Sequence, residues 1–196
     1  MSHWQPDTQN LNELVKVLRN ATSGSSETQK AVMKQLEDLK QHIEYPNYLC
    51  HVFCWSQEPE NIRTIAGLEL KNCMPGFDFL SIEQQLHLKQ SILLCLESPS
   101  EMVSRVAGSC ITSIISGHLK RWPDVLPRLI DLLGKPSSLL AALSAIEKIC
   151  EDSANELDVE DSLFVGHLIN CLLGHIQNPT PKVRSKVLKV IDRLCC

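Results

Sequence analysis

The sequence predicts an all-α protein, a right-handed α-solenoid of about five antiparallel helix pairs, and three observations predict it. The first is a recurring spacing. Counting from Val103, positions four, seven and eleven residues on are Ala107, Cys110 and Ile114, one stripe of a 3.6-residue helix. The same spacing gives Ala66, Glu69 and Cys73 from Ile62, Leu143, Ile146 and Cys150 from Leu139, and Val187, Val190 and Leu194 from Val183. Only Glu69 is polar, and the four origins lie 41, 36 and 44 residues apart. A beat near forty residues is the signature of stacked two-helix units of the HEAT or armadillo kind. The second observation is composition: 43% hydrophobic, 5% aromatic and eight Gly in 196 residues suit a helical stack better than a sandwich with frequent turns. The third is the regular placement of helix caps and breakers between the stripes.

Taken in order, Asp7 can cap a first helix carrying Leu11, Leu14, Val15 and Leu18 and ending near Asn20. The polar Thr22–Ser26 stretch separates it from a second helix, from about Glu27 to His42, whose stripe is Val32, Leu36, Leu39 and Ile43. Tyr45-Pro46-Asn47 breaks the chain before an aromatic helix with Tyr48, Leu49, Val52, Phe53 and Trp55. Phe53 and Trp55 are expected in a seam between units. Pro59 is expected at the first position of the next helix, which runs Asn61 to Cys73. Met74 to Asp78 reads as a turn. Ser81 with Gln84 makes a capping box for a helix with Leu86, Ile92, Leu93 and Leu96 on one side. Ser98, Pro99 and Glu101 repeat that device for the helix of Val103.

Trp122-Pro123-Asp124 opens a fourth unit with Val125, Leu126, Leu129, Ile130, Leu132 and Leu133. Gly134 and Pro136 end its first helix, and its second runs to about Ser153. Glu151, Asp152, Glu156, Asp158, Glu160 and Asp161 form an acidic run without a base. The fifth unit carries Leu163, Leu168, Leu172 and Ile176. Its second helix, from Pro179, is basic outside through Lys182, Arg184, Lys186, Lys189 and Arg193. Val187, Val190, Ile191 and Leu194 are expected to lack a covering unit, which marks a fragment of a longer solenoid that self-associates or needs more repeats.

Several function classes are disfavoured. A net charge of −4 offers no global basic field for nucleic acid, and no apolar run is long enough to span a membrane. The first residues lack a secretory pattern, so the nine cysteines read as reduced thiols of a cytosolic or nuclear protein. Cys50-His51-x-x-Cys54 places three possible metal ligands in five residues, but no second pair stands at structural-zinc spacing. No nucleophile elbow and no phosphate-cradling glycine loop occurs, which predicts no enzyme, no cofactor and no catalytic residue. Clustered acids on one helix end suit docking of a basic partner, and equally a solvated surface.

Leu68-Glu-Leu-Lys-Asn72, Trp122-Pro-Asp-Val-Leu-Pro-Arg-Leu129 and Ile149-Cys-Glu-Asp-Ser-Ala154 resemble the N-terminal HEAT repeats of the transportin-type nuclear import receptors of the importin-β superfamily. The likeness runs from Trp4 to about Leu194. It implies an importin-β N-terminal-like module over about 7–77, further HEAT repeats over about 80–196, and shuttling between cytoplasm and nucleus. Such receptors carry cargo bearing a nuclear localisation signal past nucleoporins and release it to the GTP form of the small GTPase Ran. On matching positions, the resemblance implies a Ran-facing surface of Arg63, Lys71, Asn72, Glu147, Glu151 and Asp152, with Arg63 alternatively a ladder residue between units and Asn72 a helix cap. Val103-Ser104-Arg105 departs from the aliphatic-arginine pairing of Ile62-Arg63 and Val183-Arg184, so a ladder is not expected to be intact there. A HEAT scaffold that ignores Ran, and a thiol or metal regulator built on Cys50, His51 and Cys54, are the alternatives.

Overall fold

In a computed structural model of the chain, residues 4–22, 26–54, 57–115, 118–152, 157 and 162–195 are described. They form the α-helices α1 (Thr8–Asn20), α2 (Ser26–Leu39), α3 (Tyr45–Cys54), α4 (Glu60–Cys73), α5 (Ile82–Leu96), α6 (Glu101–Ile115), α7 (Val125–Leu133), α8 (Leu139–Asp152), α9 (Ser162–Leu173) and α10 (Pro181–Cys195). Short 3-10 helices cover Met74–Phe79 and Leu119–Arg121, and no strand occurs among the described residues. The all-α expectation holds. The chain separates into two compact units, residues 1–95 and 96–196.

In the first unit, α1 packs against α2, α3 and α4, and α3 pairs with α4. The Asp7 carboxylate accepts the Asn10 backbone N–H at 3.0 Å, satisfying one of the unpaired amides at the start of α1. Leu14, Leu18, Leu49, Val52, Phe53, Ala66 and Leu70 form the core. Ser81 and Gln84 make the expected reciprocal cap, the Ser81 N–H donating to Gln84 Oε1 at 2.9 Å and the Gln84 N–H to Ser81 Oγ at 3.3 Å. Arg19 reaches from α1 to the buried Glu58 carboxylate at 2.9 Å, tying α1 to the turn before α4.

Several local expectations fail in this unit. Ile43 lies beyond the end of α2 and is 66% exposed, so it leaves the predicted stripe. Tyr45 to Asn47 do not break the chain but form the first turn of α3, where the missing Pro46 N–H costs nothing. Pro59 is the N-cap of α4 rather than its first residue. The inward face of α5 is Leu88, Ile92, Cys95 and Leu96, while Leu86 points outward. Glu69 is the one acid on an apolar stripe, and Lys40 sits 3.7 Å from it. Trp55 lies outside the described residues.

In the second unit, α8 is flanked by α6 and α10, with α7 against α8 and α9 against α10. Val103, Ala107, Cys110 and Ile114 are fully buried, as are Leu143 and Ile146. Val187 and Val190 are fully buried too, so of the uncovered stripe expected on the last helix only Ile191 and Leu194 stay partly exposed. Val187 and Val190 pack toward α8 and α9, and Leu188 is 57% exposed. The cap of α6 is Ser100, not Ser98: Ser100 Oγ accepts the Val103 N–H at 3.2 Å, and Ser98 Oγ accepts the Ser100 N–H. Glu101 therefore does not close a box, and it accepts from Arg105 instead.

Gly108 sets the approach of α6 to α8. A Cβ built there meets the Ala141 carbonyl oxygen and Ala145 Cβ, both at 3.7 Å, which is ordinary contact. Gly108→Ala should therefore stabilise the fold by about 0.5–1 kcal/mol, because alanine loses less backbone freedom on folding than glycine does in a helix. Gly108→Leu should destabilise by roughly 1–3 kcal/mol through overpacking. Urea denaturation of the two variants reads both signs.

Candidate partner-binding surface

Of the six residues expected to meet a partner, three come together on the second unit. Glu147, Glu151 and Asp152 lie on the free side of the last two turns of α8, because its other side is spent on Leu143, Ile146, Ile149 and Cys150. Spacings of three and four residues keep polar and apolar faces apart.

These acids are not bare. Lys186 of α10 pairs with Glu147, and Arg193 of α10 with Glu151 at 3.2 Å. Lys148 bridges Asp152 at 2.8 Å and Glu151 at 3.4 Å, and these contacts, the Asp152 hydrogen bond first, raise its pKa above the usual lysine value. Glu147, with a side chain only 13% exposed, is chiefly a stitch between α8 and α10. Glu151 and Asp152 stay more open. The basic side of α10 thus faces the acidic side of α8. What the surface offers a partner is alternating charge rather than an acidic patch. Glu156, Asp158, Glu160 and Asp161 lie outside the described residues.

At the other end of these helices a groove of about 530 Å³ opens, lined by Glu101, Arg105, Ser144, Lys182 and Lys186 among others. Lys182 of α10 and Arg105 both reach Glu101, and they hold its carboxyl below the usual carboxylate range, the Lys182 hydrogen bond contributing most. The sequence shows the two charges but not that the fold brings residues 81 positions apart together.

The other three expected residues lie on α4 in the first unit. Lys71 and Asn72 are exposed in its last turn, and Asn72 is not the cap, since the helix runs to Cys73 and Met74 follows as cap. Arg63 points back into its own repeat, donating from Nε to the Phe53 carbonyl at 2.9 Å. Arg184 does the same for its repeat, donating to the Asn178 carbonyl at 2.8 Å. These arginines brace the turn inside a helix pair and close carbonyls that the preceding helix or turn leaves open. Arg105 makes no such bond among those seen and pairs with Glu101, as its shifted position in the sequence suggests.

The Cys50, His51, Cys54 trio does not assemble as a metal centre. His51 turns toward Trp4, with ring centroids 6.4 Å apart, while Trp4 also meets Tyr48 edge-to-face and His87 at a tilt. No cluster of three metal-capable side chains occurs among the described residues. Burial lowers the His51 pKa from the ordinary 6.5 or so. A folded-state value below the unfolded one means that stability is full above about pH 6.5 and falls as the pH drops through the folded value. Thermal unfolding followed from pH 7.5 to 5 should show that fall, and His51→Gln should flatten it. No helix among the described residues is long and apolar enough to cross a membrane.

Residues 32–98 match the importin-beta N-terminal domain. Transportin-1 of Homo sapiens is 32% identical over 197 residues, which cover 97% of this chain and 22% of that protein. Importin subunit beta-2 of Schizosaccharomyces pombe is 32% identical over 199 residues with the same coverages. The chain therefore spans about a fifth of the length of these relatives. In fold it is similar to Kap95p, in a structure where Kap95p binding induces the switch loops of RanGDP to adopt the GTP-bound conformation, with a TM-score of 0.81, 19% identity, and 94% of this chain and 24% of that one covered. It is also similar to Kap121p bound to RanGTP, with a TM-score of 0.65, 14% identity, and 96% and 20% covered.

Proposed function

Since the chain belongs to the importin-β superfamily, among its transportin-like nuclear import receptors, we propose that it is the N-terminal portion of such a receptor and binds the GTP form of Ran. The observation that carries this reading is the 32% identity to transportin-1 over 97% of the chain, which spans both units. Recognition is by shape and charge along second helices of the repeats. Lys71 and Asn72 on α4, and Glu151 and Asp152 on α8, are exposed and supply direct contacts. Arg63 and Glu147 shape the surface by bracing α3 to α4 and α8 to α10. In this reading the chain binds rather than catalyses. Cargo and nucleoporins engage the longer receptor, which shuttles between cytoplasm and nucleus.

The test is retention of the chain by Ran loaded with a non-hydrolysable GTP analogue against Ran loaded with GDP. Preference for the GTP form is expected, and equal retention of both rejects it in favour of a scaffold indifferent to Ran. Joint Glu151→Lys and Asp152→Lys substitution should weaken the GTP-form complex by about tenfold or more at low salt, with a smaller loss at high salt.

A further inference from the structure

Cys54 at the end of α3 and Cys95 near the end of α5 lie with their sulfurs 2.9 Å apart, both thiols free and both in the first unit. Cys54 donates its S–H to the Ser91 carbonyl at 3.3 Å, which leaves its sulfur to accept from Cys95. Cys50, one turn earlier on α3, is a third free and fully buried thiol beside this pair. Residues 41 apart in sequence are thus brought together at the ends of α3 and α5, and closing them to a disulfide bond length of about 2.05 Å moves the sulfurs by less than the width of an atom.

We propose that Cys54 and Cys95 form a redox-closable dithiol, oxidised by a hydroperoxide to an intramolecular disulfide that ties α3 to α5. Cys54 is the half-buried member and Cys95 the buried one, so Cys54 meets the oxidant and Cys95 resolves it. The Cys54 thiolate attacks one peroxide oxygen, the O–O bond breaks, and the departing oxygen leaves as an alcohol or water after taking up a proton. The Cys54 sulfenic acid is then attacked by the Cys95 thiolate. The S–S bond forms, hydroxide leaves and collects the remaining proton as water. Two thiols lose two electrons and the peroxide gains them.

The neighbouring sulfur first, Cys50 for Cys54 and Cys54 for Cys95, and then burial push both thiols up, with a small opposing pull from the Arg63 guanidinium. The pair is therefore slow toward casual oxidation, because the thiolate is the attacking form. Cys95 rather than Cys50 is the resolving partner because its sulfur is the one 2.9 Å from that of Cys54.

The test treats the native chain with hydrogen peroxide, quenches it, unfolds it and counts thiols. The count should fall from nine to seven, with a non-reducing digest yielding one cross-linked peptide pair containing Cys54 and Cys95, regenerated by dithiothreitol. Cys54→Ser and Cys95→Ala should each abolish that pair, and Cys50→Ser should keep it. The digest of the unaltered chain decides the matter even if a variant folds poorly. A count that stays at nine, a cross-link between other cysteines or between two chains, or Cys54 carried on to sulfinic acid without a cross-link overturns the proposal.

Discussion

Trp122→Ala should lower the stability of the chain by about 3–5 kcal/mol, the range for emptying a fully buried aromatic site. Trp122 is the largest of the fully buried side chains, 1% exposed, in the turn that joins the Leu119–Arg121 3-10 helix to α7. Its backbone closes that turn, its N–H donating to the Leu119 carbonyl at 2.9 Å and its own carbonyl accepting the Val125 N–H at 3.1 Å. The 3-10 helix packs on α6, and in a close-packed interior a volume as large as an indole cannot be refilled by moving one side chain. Leu188→Ala, at a position 57% exposed, should stay within about 0.5 kcal/mol and serves as the control. Guanidinium denaturation followed by circular dichroism measures both.

Arg19→Ala is the second large effect, expected at about 2–3 kcal/mol, because it strands a carboxylate out of water. The Glu58 side chain is 4% exposed and Arg19 60%, so the pair sits at the edge of the core. The expected loss is set below the 3–5 kcal/mol typical of fully buried pairs, since solvent screens the arginine side. Two nitrogens of one guanidinium reach the two carboxylate oxygens, Nη2 to Oε1 at 2.9 Å and Nε to Oε2 at 3.4 Å. Glu58→Gln keeps one acceptor and should cost about 1 kcal/mol, while Arg19→Met with Glu58→Leu should recover most of the loss by removing both charges. A double-mutant cycle by urea denaturation isolates the coupling.

What the sequence reveals here is local in origin. Stripes such as Val103, Ala107, Cys110 and Ile114 are legible because one helix turn fixes their common face, and all four are fully buried. The Ser81–Gln84 box is legible for the same reason, its partners lying three residues apart. Boundaries fare worse, since Tyr45–Asn47 joins α3 and the cap of α6 slips from Ser98 to Ser100, where several polar residues compete for one cap. The candidate surface is half legible. Exposure of Glu151, Asp152, Lys71 and Asn72 follows from the period, whereas the pairing of Glu147 with Lys186 and of Glu151 with Arg193 joins residues 39 and 42 apart. Such pairs depend on which helix lies beside which, and the same holds for Cys54 with Cys95 and His51 with Trp4.

Amide hydrogen exchange of the chain, alone and with Ran carrying a non-hydrolysable GTP analogue, tests the binding surface most directly. Added protection is expected on α4 and α8, at residues 60–73 and 139–152, and not on α3 or α7, with little change when Ran carries GDP. Protection confined to α3 and α7, or equal for the two nucleotide forms, would contradict a surface built from the second helices of the repeats.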